Sequence, residues 1–148
     1  MMNTPFVFLL NTYGAFLLFV IVIFYLWFFD KAKKETYHVI LATVITVLVV
    51  YFLKILFDAP RPFLLDGRTP EAGYFSGNHS FPSFHSALTF ALATTVALHQ
   101  KKFGILLFLV GSLLAFGRVV ADVHYPVDIA GGAIIGTLIA LFIERVDS

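Results

Sequence analysis

Cysteine is absent from the 148 residues and charge is scarce. The first absence excludes disulfides and thiolate chemistry, while leaving the compartment open. Charged residues make up 13% of the chain, against roughly a quarter in a soluble domain. The basic residues form no tract and the formal net charge is only +1, so no nucleic-acid partner is expected. Once the long apolar runs are set aside, no stretch is left that would make a separate soluble domain, and residues 1–148 read as one membrane-embedded unit.

What is present is apolar: 59% hydrophobic residues, with 18 Phe among them. The run from Pro5 to Phe29 is softened only by Asn11, Thr12, Tyr13 and Gly14. As a helix it reaches about 37 Å, enough to cross a hydrocarbon core of about 30 Å with some tilt. No basic residue precedes it and no small-residue cleavage site follows, so it reads as a retained span and not as a signal peptide. Four further runs follow: Thr36 to Phe57, Ser83 to His99, Phe103 to Val120 and Pro126 to Ile143. The β-branched residues of the second run would suggest a strand in water, but its length and lack of alternation favour a membrane helix. The expected fold is therefore all-α, an integral membrane bundle of about five transmembrane helices.

A polar loop, Asp58 to Pro82, separates helices 2 and 3. Pro60 and Pro62 stop the second helix near Asp58, and the loop is expected to lie over the membrane as a partial lid with a short interfacial helix. Gly132 and Gly136 permit close backbone approach between helices. The glycine-rich faces of the last two runs would serve packing within the chain or a dimer equally well. Lys31, Lys33, Lys34, Lys101, Lys102 and Arg145 fall on one side, which the positive-inside bias makes cytoplasmic. Tyr25 and Trp27 read as interface anchors, and His38 and His99 as interfacial residues on that same side.

Three short segments on the other side carry the chemistry: Lys54-x6-Arg61-Pro62, Pro82-Ser83-Phe84-His85 and Arg118-x5-His124-x3-Asp128. Pro126 suits the first turn of a helix, which puts His124 just before it and Asp128 inside that turn. A spacing of four brings the carboxylate back to the imidazole, where it fixes the tautomer and leaves the other ring nitrogen free to attack. Read alone, the pair fits a capped helix N-terminus equally well. Lys54 and Arg118 lie within apolar helix ends, where a cation is costly unless it snorkels or finds a counter-charge such as Asp58 or Asp122. With Arg61 they make three cations suited to the oxygens of a transferring phosphoryl group. Ser83 can cap the third long helix or bond a phosphate oxygen. His85 can protonate a leaving oxygen. His79 reads as a solvated loop residue.

In order, spacing and helix context, the three segments resemble the signature of the type 2 phosphatidic acid phosphatase superfamily: Lys-x6-Arg-Pro, Pro-Ser-Gly-His and Ser-Arg-x5-His-x3-Asp. The match covers about half the chain. The resemblance implies that His124 is the nucleophile and forms a phosphohistidine, with Asp128 orienting it and His85 acting as general acid and then base. It also implies phosphoryl binding by Lys54, Arg61, Arg118, Ser83 and the amide of Phe84, with no metal and no cofactor. Phe84 stands where the family has Gly, and Gly117 where it has Ser. Members of the family commonly have six spans, so five suggests that an N-terminal span is missing.

The function so implied is dephosphorylation of a lipid phosphate or diphosphate whose tails stay in the bilayer. An isoprenoid diphosphate such as undecaprenyl diphosphate fits an extracytoplasmic site in the cell membrane of a bacterium, because its leaving group, a phosphate monoester, asks less of His85. Phosphatidic acid and phosphatidylglycerol phosphate are rival substrates. The soluble vanadate haloperoxidases share the phosphate site but not the apolar runs. A non-catalytic lipid-phosphate-binding membrane protein would not need an oriented nucleophile.

Overall fold

A computed structural model describes residues 5–28, 33–68 and 77–147, all in helices and connecting turns apart from one isolated bridge. Lys31 and loop residues 69–76 lie outside the described residues. Among the described residues six helices follow one another: α1 (Pro5–Phe28), α2 (Lys33–Phe57), α3 (Pro62–Asp66), α4 (Phe84–His99), α5 (Lys101–Val120) and α6 (Pro126–Asp147). A short helix, α3, is present in the polar loop, where one was expected.

By length and composition α1, α2, α5 and α6 can each cross a membrane. They turn large apolar side chains outward, among them Leu48 and Phe52 on α2, Leu113 and Phe116 on α5, and Phe142 on α6. Such continuous apolar surface is stable against lipid and not against water, and the chain is an integral membrane protein. The fifth long helix, α4, has 16 residues, or about 24 Å, short of a full hydrocarbon core. It lies at the centre of the bundle, packed against α1, α2, α5 and α6. Ringed by protein, it has little lipid thickness to match.

Small residues make that central position possible. A Cβ on Gly132 or Gly136 of α6 would fall inside the backbone of α4 at Ser83 and Ala87, and one on Gly104 of α5 inside Ala97. These glycines let helix backbones touch, as the Gly132-x3-Gly136 spacing indicated. The hydroxyls of Thr89 and Thr95 bond the carbonyls of His85 and Ala91 one turn earlier, at 2.9 and 3.0 Å, so α4 buries them without loss. Val22, Leu26, Val39, Leu92, Val96 and Leu107 form the apolar core joining α1, α2, α4 and α5.

Helix ends set the site. α2 stops at Phe57, and Asp58 leaves it with φ of 44°. Arg61 is extended, with ψ of 153°, because Pro62 excludes the helical region for the residue before it and itself opens α3. α5 ends in a turn with Asp122 at φ of 60°. The start of α4 and the start of α6 are tied by a bond from the Ser83 amide to the Asp128 carbonyl, 2.9 Å.

Candidate active site

The last turn of α2, the Arg-Pro corner, the start of α4, the end of α5 and the start of α6 meet at one end of the bundle. Lys54, Arg61 and Arg118 are each only 1% exposed, and Ser83, His85, His124 and Asp128 are buried with them. Taking one cation out of water costs several kcal/mol unless polar groups replace the lost hydration. Main-chain carbonyls do so here. The Lys54 ammonium donates to the carbonyls of His79 (2.9 Å) and Ser80 (3.1 Å). Arg61 donates through Nε to Gly77 (3.1 Å) and through Nη1 to Val123 (2.8 Å). Arg118 donates to the carbonyl of Asn11 on α1. Asp58 and Asp122 have other partners, His79 at 2.8 Å and Arg68 at 2.8 Å.

His124 sits between a cation and a carboxylate. Nη1 of Arg61 lies 3.4 Å from Nε2, and Oδ2 of Asp128 lies 3.3 Å from Nδ1. A guanidinium has only donors and an ionised carboxylate only acceptors, so the proton belongs on Nδ1 and the lone pair on Nε2. The same Asp128 oxygen accepts from the amide of Tyr125 at 2.8 Å. That bond caps α6 and fixes the carboxylate before it meets the imidazole. Burial holds the His124 pKa down at about 4; the bond to Asp128 opposes this, and Arg61, Lys54 and Arg118 add to it. At neutral pH the ring is a neutral base, and all three cations act on it.

His85 faces α1, where its Nε2 donates to the carbonyl of Thr12 at 2.8 Å. Ser83 is the N-cap of α4, accepting from the amide of Ser86 at 3.4 Å. Phe84 turns its half-buried ring into an apolar groove of about 400 Å³ between α1 and α4, lined also by Thr12, Tyr13, Phe16, His85 and Leu88. Every residue singled out by the three segments thus falls at this end of the bundle.

Besides the loop and turn carbonyls that hold Lys54 and Arg61, the sequence reading missed two contributors on α1. The carbonyls of Asn11 and Thr12 hold Arg118 and His85, and the Asn11 side chain fills the place where a Cβ on Gly117 would stand. Their one signal was the polar interruption of an otherwise apolar run.

The family model described as PAP2 superfamily matches residues 35–147. The bacitracin transport permease protein BcrC of Bacillus licheniformis is 28% identical over 143 residues, covering 97% of this chain and 70% of its own. The undecaprenyl-diphosphatase BcrC of Bacillus subtilis (strain 168) is 28% identical over 137 residues, covering 88% and 68%. Among solved structures, that of Aquifex aeolicus LpxE matches with a TM-score of 0.77 at 28% identity, covering 97% of this chain and 88% of that one.

Proposed function

The chain belongs to the PAP2 superfamily and is a lipid phosphatase of the membrane, and we propose that its substrate is an isoprenoid diphosphate such as undecaprenyl diphosphate, cleaved through a phosphohistidine on His124. One observation carries the chemistry: the lone pair of a neutral, buried imidazole is aimed into a cluster of three buried cations that holds a single buried carboxylate. Such a cluster favours a ligand with at least two negative charges.

In the first step Nε2 of His124 attacks the terminal phosphorus. The P–N bond forms, the bridging P–O bond breaks, and His85, acting as the imidazolium, gives its Nδ1 proton to the departing oxygen while the Thr12 carbonyl holds its Nε2–H. Lys54, Arg61 and Arg118 stabilise the charge on the equatorial oxygens, with Ser83 and the Phe84 amide beside them at the start of α4. Asp128 stabilises the imidazolium that develops on His124. In the second step His85 takes a proton from water, which attacks phosphorus; the P–N bond breaks and phosphate leaves. No step needs a metal.

Substrate assignment rests on two supports. The undecaprenyl-diphosphatase of Bacillus subtilis is among the relatives, and the apolar groove beside Phe84 and His85 lies between α1 and α4 next to the exposed rings of Tyr13 and Phe16, where a long prenyl chain would lie. The motif end faces away from Lys33, Lys34, Lys101, Lys102 and Arg145, which supports an extracytoplasmic site in a bacterial cell membrane. Phosphate release from purified protein in detergent with chelator tests the reading. Undecaprenyl diphosphate is expected to give the highest kcat/KM, above phosphatidylglycerol phosphate and phosphatidic acid. A faster reaction with either of those would replace the substrate, and undiminished activity in His124→Ala would remove the mechanism.

A further inference from the structure

The end of the bundle opposite the phosphate site holds a second cluster. His38 on α2, His99 at the end of α4 and Glu144 on α6 converge there. His38 is fully buried, not interfacial. Its Nδ1 lies 2.9 Å from Oε2 of Glu144, and Nε2 of His99 lies 3.1 Å from the same oxygen. All three ligand atoms fall within 4.8 Å of one another. The helices involved, α2, α4 and α6, are those that carry Lys54, His85 and Asp128 at their other ends, about 20–24 Å away along each axis.

We propose that His38, His99 and Glu144 bind one divalent transition-metal ion, zinc by the chemistry of the donors, which fastens α2, α4 and α6 at the end remote from catalysis. Two imidazoles and one carboxylate are a donor set that zinc takes readily, and a tetrahedral site spaces its ligand atoms about 3.3 Å apart. The two nitrogen-to-oxygen distances here need to open by only a few tenths of an ångström, and the rings, 5.7 Å apart at their centroids, need to turn their nitrogens together. Charge fits as well. Glu144 supplies one negative charge, and Glu35 lies one turn before His38, held by Gln100 at 2.9 Å. The neighbouring cations Lys33, Lys34, Lys101, Lys102 and Arg145 are all exposed to solvent. Water completes the shell. The phosphatase reaction takes no part in this site.

Zinc and cobalt titrations of the chelator-treated full chain in detergent test the inference, with bound metal measured by competition against a chromophoric chelator. Wild type is expected to bind one equivalent, to melt at a higher temperature when loaded, and to give the visible spectrum of four-coordinate cobalt. His99→Ala and Glu144→Gln are expected to weaken binding by about ten-fold or more, whereas His124→Ala keeps the equivalent. No binding by wild type, or equal binding by wild type and both cluster variants, overturns the proposal. Should the variants fold poorly, an octahedral all-oxygen cobalt spectrum in wild type overturns it equally.

Discussion

The guanidinium of Arg61 stands 3.4 Å from the Nε2 atom of His124, while Asp128 holds the Nδ1 atom of the same ring. One contact is made across an irregular corner set by two prolines, the other across a single helical turn. Between them they decide where the proton sits and which nitrogen can attack.

That arrangement predicts a pH dependence of stability. The folded ring stays neutral down to about pH 4, whereas an unfolded imidazole binds a proton below about pH 6.5. The unfolded chain therefore holds more protons in this window, and stability falls as pH drops from about 6.5 toward 4. Melting temperatures in detergent should show this slope in wild type and a shallower one in His124→Gln. An unchanged slope would mean that His124 does not carry it.

Arg61 is expected to tolerate no cationic substitute. Arg61→Lys keeps the charge but cannot at once reach Gly77, Val123 and a phosphate oxygen as the guanidinium does. We expect kcat/KM to fall by roughly a hundred-fold, with some loss of melting temperature as the buried charge gives up part of its carbonyl bonds. Activity within a few-fold of wild type would show that charge alone suffices.

Gly117 and Asn11 are expected to be coupled. Gly117→Ser introduces the residue usual in the family motif, yet its Cβ would run into the Asn11 side chain beside Arg118. The single variant should lose about ten-fold or more in activity, and Asn11→Ala in the same chain should restore much of it, a non-additivity typical of residues in contact. Additive effects would place the two residues in separate roles.

Phe84 is expected to act on the lipid tail. Phe84→Gly removes a wall of the groove between α1 and α4 and leaves the amide at residue 84 in place. KM for a long-chain prenyl diphosphate should rise about ten-fold, while a short-chain analogue should be hydrolysed much as before. Equal losses for both would point to the phosphate site instead.

What the sequence discloses, and what it hides, follows from the kind of contact involved. His124 and Asp128 are legible because the helical period sets their approach and Pro126 marks the helix start. Arg61 is legible because Pro62 fixes the backbone before it. The five long helices follow from long, mostly apolar runs, even for α4, whose short length reflects burial by its neighbours. Asn11 and Thr12 act on Arg118 and His85 through main-chain oxygens, about a hundred residues away in the first case, and a carbonyl leaves no mark in a sequence. His38, His99 and Glu144 stand near the ends of three helices remote from His124, and only their packing shows that they meet.

The central claim, that His124 takes up the phosphoryl group, is tested most directly by trapping. His85→Ala should still transfer phosphate from undecaprenyl diphosphate to the imidazole, since the leaving group needs little protonation, but should stall at hydrolysis. Quenching at alkaline pH and peptide mass spectrometry should then find one phosphoryl group on His124. Phosphate release by His85→Ala with no phosphorylated histidine in the chain, or a phosphoryl group on another residue, would contradict the account.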